Sequence, residues 1–216
     1  MHIERVRGRA AEVVEPTLPD PLPRAVARVV RLERAALILG SRQRLDEVEP
    51  GAPERAGVDV VKRFSGGGAV LLAPDRFLWI DVLLPRADDR WVDDIAVSFH
   101  WLGDVWAAAL REVGLRADVH RGPLETTAWG SLVCFGAMGP GEVTVGGRKV
   151  VGFSQRRTRV GARFQCLVHD AWQPADLLAL LRLTADERAA AAAELGTRAA
   201  GAPLADLESA VLRRLD

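Results

Sequence analysis

The sequence predicts an α+β fold, and three observations carry that prediction. Strand-length apolar runs cluster in the middle of the chain. Most of them are joined by hairpin-type turns, and the helical patterns fall between or after them instead of alternating strictly with strands. No internal repeat is present. At 216 residues the chain suits one domain with a small appendage and can bury one sizeable core.

The elements follow in order. Residues 1–24 end in Pro16, Pro19, Pro21 and Pro23 and read as a loose lead-in, because closely spaced prolines lack amide donors. Ala36 to Leu39 reads as a short buried strand and Gly51 to Gly57 as a loop. Val58, Val60 and Val61 open a strand that runs into Gly66-Gly67-Gly68 and out again through Val70-Leu71-Leu72. Phe77 to Leu84 is a further strand, ended by Pro85. Val92, Ile95, Phe99, Leu102, Trp106, Leu110 and Val113 recur at spacings of three and four, which predicts a helix over 91–113 with Gly114 as its stop. Strands are then expected at Leu132 to Phe135, Glu142 to Val145, Arg148 to Ser154 and Arg163 to Val168. Gly146-Gly147 supplies a two-residue hairpin turn. Leu177 to Leu183, Asp186 to Leu195 and Leu204 to Leu215 read as three short helices, and Thr184 with Glu187 has capping-box spacing.

Composition excludes several functions. Twenty-nine basic residues balance twenty-nine acidic ones, so no nucleic-acid or membrane partner is expected. No run approaches the ~18 uninterrupted apolar residues of a membrane span. The region of Glu4, Arg5, Arg7 and Arg9 holds no apolar signal core, and Cys134 and Cys166 make no disulfide framework; a cytoplasmic location is expected. No CxxC, HExxH or calcium-loop spacing occurs, so no metal ligand is assigned, and no Ser sits in a GxSxG elbow.

Two segments can carry chemistry. In Arg63-Phe64-Ser65-Gly66-Gly67-Gly68-Ala69 the glycines remove every Cβ, so main-chain amides can converge on a phosphate or carboxylate. A flexible hairpin turn is the alternative. The second segment is Gly146-Gly147-Arg148-Lys149-Val150-Val151-Gly152-Phe153-Ser154-Gln155. Strand alternation predicts Lys149 on one face with Val151 and Phe153, and Gly152 on the other. Lys149 is one of only two lysines beside 27 arginines. A lysine against apolar neighbours is costly unless an anion compensates it, and a snorkelling edge-strand lysine is the alternative.

The pair RFSGGGAV (63–70) and GGRKVVGFSQ (146–155), about 80 residues apart with a helix between, resembles the lipoate–protein ligase and octanoyltransferase family, which is related to the biotin protein ligases. The resemblance implies a central mixed, largely antiparallel sheet flanked by helices. It also implies a catalytic domain over 25–183, with 184–216 a helical extension packed on it. The implied activity is ATP-dependent activation of lipoate or octanoate to an acyl-adenylate, with Mg2+, and transfer to a lysine of a carrier domain. That carrier would belong to a 2-oxoacid dehydrogenase or a glycine cleavage protein. By the same resemblance Arg63, Ser65, Gly66, Gly67, Gly68 and Ala69 line the acyl and phosphate cleft with Gly152 and Ser154, and Lys149 binds the activated carboxyl.

The chain departs from the family pattern. Leu71-Leu72-Ala73-Pro74-Asp75-Arg76 stands where a His-Asp pair and then Gly-Asn are usual, and the accessory domain of several ligases is not expected after the catalytic one. That leaves room for a separate accessory chain. Cys134-Phe135 before the lysine motif is similar to an octanoyltransferase branch in which the cysteine takes octanoate from an acyl-carrier protein without ATP. A small buried core residue is the alternative reading of Cys134. A third reading of the whole chain is a non-catalytic homologue that binds lipoyl groups or adenylates.

Overall fold

The computed structural model describes residues 1–14 and 17–216. Its main sheet has seven strands in the order β1 (His2–Gly8), β2 (Val26–Leu32), β6 (Phe77–Pro85), β10 (Gly161–His169), β9 (Arg148–Arg157), β8 (Val143–Val145), β7 (Ala117–Val119). Only β1 and β2 pair in parallel; every other neighbour is antiparallel. A small sheet orders β4 (Asp59–Lys62), β3 (Ala36–Leu39) and β5 (Val70–Leu72). The helices are α1 (Ala10–Val13), α2 (Ala52–Ala56), α3 (His100–Glu112), α4 (Pro174–Leu178), α5 (Ala185–Arg198) and α6 (Leu207–Leu215). The class is α+β with a mixed, largely antiparallel sheet.

β6 is buried along its whole length, which is why it reads as an almost unbroken apolar run. Leu78, Ile80, Val82 and Leu84 face one way and join Phe164 and Cys166 of β10 in a core closed by Trp106 and Leu110 of α3 and Leu207 and Val211 of α6. Phe77 and Trp79 face the other way, with Leu167, against Ile38, Val70 and Leu72 of the small sheet. The small sheet is backed in turn by Leu177 of α4, Leu195 of α5 and Leu181 of the segment between them. The functional question lies in the layer between the two sheets.

Several expectations are corrected, among them the loop over Gly51 to Gly57, which carries α2. The segment expected as a loose lead-in carries β1, which extends the main sheet, and α1; Pro16 lies outside the described residues. The helix starts at His100, not at residue 91. Upstream, side chains compete for the backbone: Asp94 accepts the Ala96 amide at 2.8 Å, Ser98 Oγ donates to the Ile95 carbonyl at 2.9 Å, and Arg157 donates to the carbonyls of Val92 and Asp93. Ile95, read as a core position, is 62% exposed. Leu132 to Phe135 is no strand; a single bridge joins Val133 to Ala69, and Cys134–Gly136 forms a 3-10 turn. The triple glycine joins two strands as expected, and the alternative of a hairpin turn there does not hold. It carries the chain from β4 to β5 across the end of β3, so tightly that a Cβ on Gly40 would lie 1.8 Å from the Gly67 carbonyl oxygen.

A candidate acyl cleft

Between the sheets lies a narrow cleft with about 450 Å³ of empty volume, its solvent-open mouth included. Trp79, Leu167, Gln165, Gly152 and Ser154 of the main sheet form one wall, and Ile38, Val70 and Leu72 the other. Val14 and the Cys134-Phe135 turn close the sides. The lining is apolar apart from Arg63, Cys134, Ser154 and Gln165.

The two sequence motifs meet at this cleft. Ser65 Oγ lies 3.2 Å from Ser154 Oγ, which donates to Gln165 Oε1 at 2.9 Å. Gln165 Nε2 in turn donates to the Val14 carbonyl at 3.2 Å. The members of the loop have different surroundings. Gly66 and Gly67 are exposed, Gly67 at a φ of 92° that favours glycine. The main-chain N–H groups of Gly66, Gly67 and Gly68 have no hydrogen-bond partner among the described residues. Arg63, expected at a phosphate, turns inward and donates to the Gly66 and Gly68 carbonyls at 2.7 and 2.9 Å. Gly68 and Ala69 are buried against the turn that bears Cys134. A Cβ on Gly68 would meet the Val133 amide nitrogen at 2.4 Å, and Ala69 exchanges main-chain bonds with Leu132 and Cys134.

Lys149 departs from the predicted alternation. Val143 pairs with Val151 but the next residue, Thr144, pairs with Lys149, so β9 carries a bulge at Val150. The bulge re-phases the strand and brings Lys149 to the side of Gly152, where a Cβ would lie 3.3 Å from Lys149 Cε and from the Phe135 ring. Lys149 is 2% exposed and is not among the residues lining the cleft. Its three N–H donors go to Glu142 Oε1 at 2.7 Å, the Ala137 carbonyl at 2.9 Å and the Cys134 carbonyl at 3.1 Å. The ammonium also stands 5.0 Å from the Phe135 ring centroid. Phe135 is stacked in turn on Trp172, which donates to the Leu195 carbonyl.

Cys134 is half-buried and lines the cleft. A Cβ on Gly67 would lie 3.8 Å from its Sγ, so the thiol sits beside the glycine loop. Among the described residues no carboxylate lines the cleft; Lys149 spends its three donors on Glu142 and two carbonyls, and Arg63 donates from Nη2 to the Gly66 and Gly68 carbonyls while its buried Nε has no partner.

Two residues escaped the sequence reading. Gln165 left a trace, since Arg163 and Gln165 alternate as polar positions within an apolar strand. Glu142 left none: an acidic residue seven places before a lysine is unremarkable until the β8–β9 hairpin folds it back.

The fold is a mixed α+β domain in which the glycine-loop segment touches the strand of the Gly-x-Lys motif, Ser65 to Ser154, beside an apolar cleft. The model of the lipoyl protein ligase A/B catalytic domain matches residues 19–195, and the chain belongs to that family. It is 34% identical over 125 residues to octanoyltransferase LipM of Moorella thermoacetica, a match covering 55% of this chain and 44% of the relative. With octanoyltransferase LipM of Clostridioides difficile it shares 28% identity over 127 residues, 58% of this chain and 46% of that one. The matched stretch thus spans less than half of either relative's length. Among solved structures the fold is similar to the bipartite lipoate protein ligase of Thermoplasma acidophilum, studied with its E2 lipoyl domain (TM-score 0.69, 20% identity, 88% of this chain and 69% of that one). It is also similar to a lipoate-protein ligase A bound with ATP (TM-score 0.65, 19% identity, 90% and 72%).

Proposed function

We propose that this chain is a cysteine-dependent octanoyltransferase, with residues 25–183 as its catalytic domain and 184–216 as an extension of it. The observation that carries this reading is the Cys134 thiol, set in an apolar cleft beside the unpartnered amides of the glycine loop. The two octanoyltransferase relatives support it, as does the commitment of Lys149 to protein partners.

In the first half-reaction the Cys134 thiolate attacks the thioester carbonyl of an octanoyl-acyl-carrier protein. A bond forms from Sγ to the acyl carbon, the carrier's carbon–sulfur bond breaks, and the departing carrier thiolate takes up a proton. In the second, a neutral lysine amine of a lipoyl-carrier domain attacks the acyl-cysteine. The amide forms, the bond to Sγ breaks, and the proton lost by the amine returns to the thiol. Neither step consumes ATP. In each tetrahedral intermediate the oxyanion is stabilised by the amides of Gly66 to Gly68, a contribution typically of ~3 kcal/mol per donor. Ser65, Ser154 and Gln165 hold the loop to the sheet, and the apolar walls take the acyl chain.

Incubation with octanoyl-acyl-carrier protein followed by intact mass analysis is the test. An octanoyl adduct is expected on the wild type and absent from Cys134→Ser; no adduct on the wild type overturns the reading. Modification of a lipoyl-carrier domain by free lipoate only when ATP is supplied would return the adenylate route. Binding without any transfer would leave a non-catalytic homologue.

A further inference from the structure

We infer that Trp79 sets the length of acyl chain this cleft accepts: its indole is the end wall, and an eight-carbon chain fits between it and Cys134. The inference rests on the thiol reading above. Strand register lays out the floor. Gly152 of β9 pairs with Leu167 of β10, Leu167 with Trp79 of β6, and Trp79 with Val30 of β2, so the four form one row across the main sheet. Gly152, Leu167 and Trp79 line the cleft, whereas Val30 is fully buried and does not. On β6 itself Phe77 and Asp81, two places to either side of Trp79, do not line it either. Side-chain size rises along the row from glycine through leucine to tryptophan, and the channel stops where the indole stands.

The thiol lies at the other end of that row. Phe135, next to Cys134 in the chain, is the ring that a Cβ on Gly152 would meet at 3.3 Å. From Gly152 to Trp79 is two interstrand spacings, roughly 10 Å. An extended chain covers ~3.3–3.6 Å per three bonds, so the carbon chain of an octanoyl group spans ~8 Å and that of a dodecanoyl group ~13 Å. The first fits before the indole and the second does not. The end wall is also fixed in place. Trp79 is 4% exposed, and its Nε1 donates to Asp81 Oδ1 at 2.7 Å. Asp81 Oδ2 accepts from Arg163 at 2.6 and 2.9 Å, and Arg163 donates in turn to the carbonyls of Val13 and Val14. The ring cannot swing aside without losing its bond to a buried carboxylate.

The test is the rate of adduct formation on Cys134 from octanoyl- and dodecanoyl-acyl-carrier protein, read by intact mass. The wild type is expected to take octanoyl about tenfold faster or more, and Trp79→Leu to raise the dodecanoyl-to-octanoyl ratio by about tenfold or more. Phe77→Leu removes a buried ring from the same strand without touching the cleft lining, and should leave that ratio within about twofold. The ratio separates the two roles, because a loss of stability alone slows both donors together. Leu167→Phe keeps the indole and its hydrogen bond but fills the floor one strand earlier, and should move the preference from octanoyl to hexanoyl. Wild-type rates within about threefold for octanoyl and dodecanoyl overturn the inference, as does a Trp79→Leu ratio within about twofold of wild type or an unchanged preference in Leu167→Phe. A wild type that takes no acyl group from any donor overturns the thiol reading instead. The length limit is then decided by calorimetric titration with free octanoate and dodecanoate. Tighter octanoate binding is expected there, and equal or tighter dodecanoate binding overturns the role of Trp79.

Discussion

The two faces of the seven-stranded sheet treat the chain's two cysteines in opposite ways. Cys166 points to the helix-covered face, fully buried beside Trp106, and burial pushes its thiol far above the ordinary range. Cys134 lies over the other face, half-buried at the wall of a cleft, with exposed glycines beside it. Helices α3 and α6 close one face with large apolar side chains. A three-stranded sheet and a glycine loop cover the other and leave a channel. The same residue type becomes core in one setting and a candidate nucleophile in the other, and the neighbouring backbone makes the difference.

The comparison breaks or sharpens under five measurements. Cys134→Ser should cost about 1000-fold or more in octanoyl transfer, while Cys166→Ala should keep it within threefold; equal losses would erase the distinction between the faces. Alkylation mapped by peptide mass should label Cys134 about 1000-fold faster than Cys166, which must wait for the helix face to open. Gly68→Ala forces a Cβ against the Val133 backbone at 2.4 Å. It should destabilise by about 1–3 kcal/mol in denaturant melts and slow transfer as the turn shifts.

His169 tests the cleft layer by pH. Burial lowers its pKa to about 4. Unfolding restores an ordinary value near 6.5, so between those values the unfolded chain binds a proton that the folded one does not. Stability should therefore fall as pH drops from about 6.5 to about 4, by at most about 3 kcal/mol, and His169→Gln should flatten that slope. The smallest effect lies far from both faces. Thr184→Ala removes a capping box in which Thr184 Oγ1 accepts the Glu187 amide, and should cost about 1 kcal/mol with transfer unchanged.

Much of the fold is legible in the sequence because local rules and tertiary packing agree there. β3, β6, β10 and the hairpin at Gly146-Gly147, where φ is 58° and 74°, follow from apolar runs and turn chemistry. The prediction fails where a distant partner outweighs a local pattern. The spacing from Val92 to Phe99 is helical, yet Arg157 and two local side chains claim that backbone. The prolines of the lead-in said nothing about a parallel partner for His2–Gly8. At the cleft, the glycine loop and the lysine motif were visible as residues, but the aim of Arg63 and Lys149 was not. A one-residue bulge at Val150 reverses which side of β9 a residue faces, and no propensity encodes it.

The sequence by itself determined the class of fold, the two motifs and the family they belong to, since these reside in short spans whose glycine, lysine and strand chemistry is local. Only the tertiary structure decided that Ser65 meets Ser154, that Glu142 takes Lys149, and that one thiol lines a cleft while the other is sealed. Those outcomes depend on which segments pack together, and a buried ammonium or thiol takes its behaviour from partners that chain folding brings from far along the sequence.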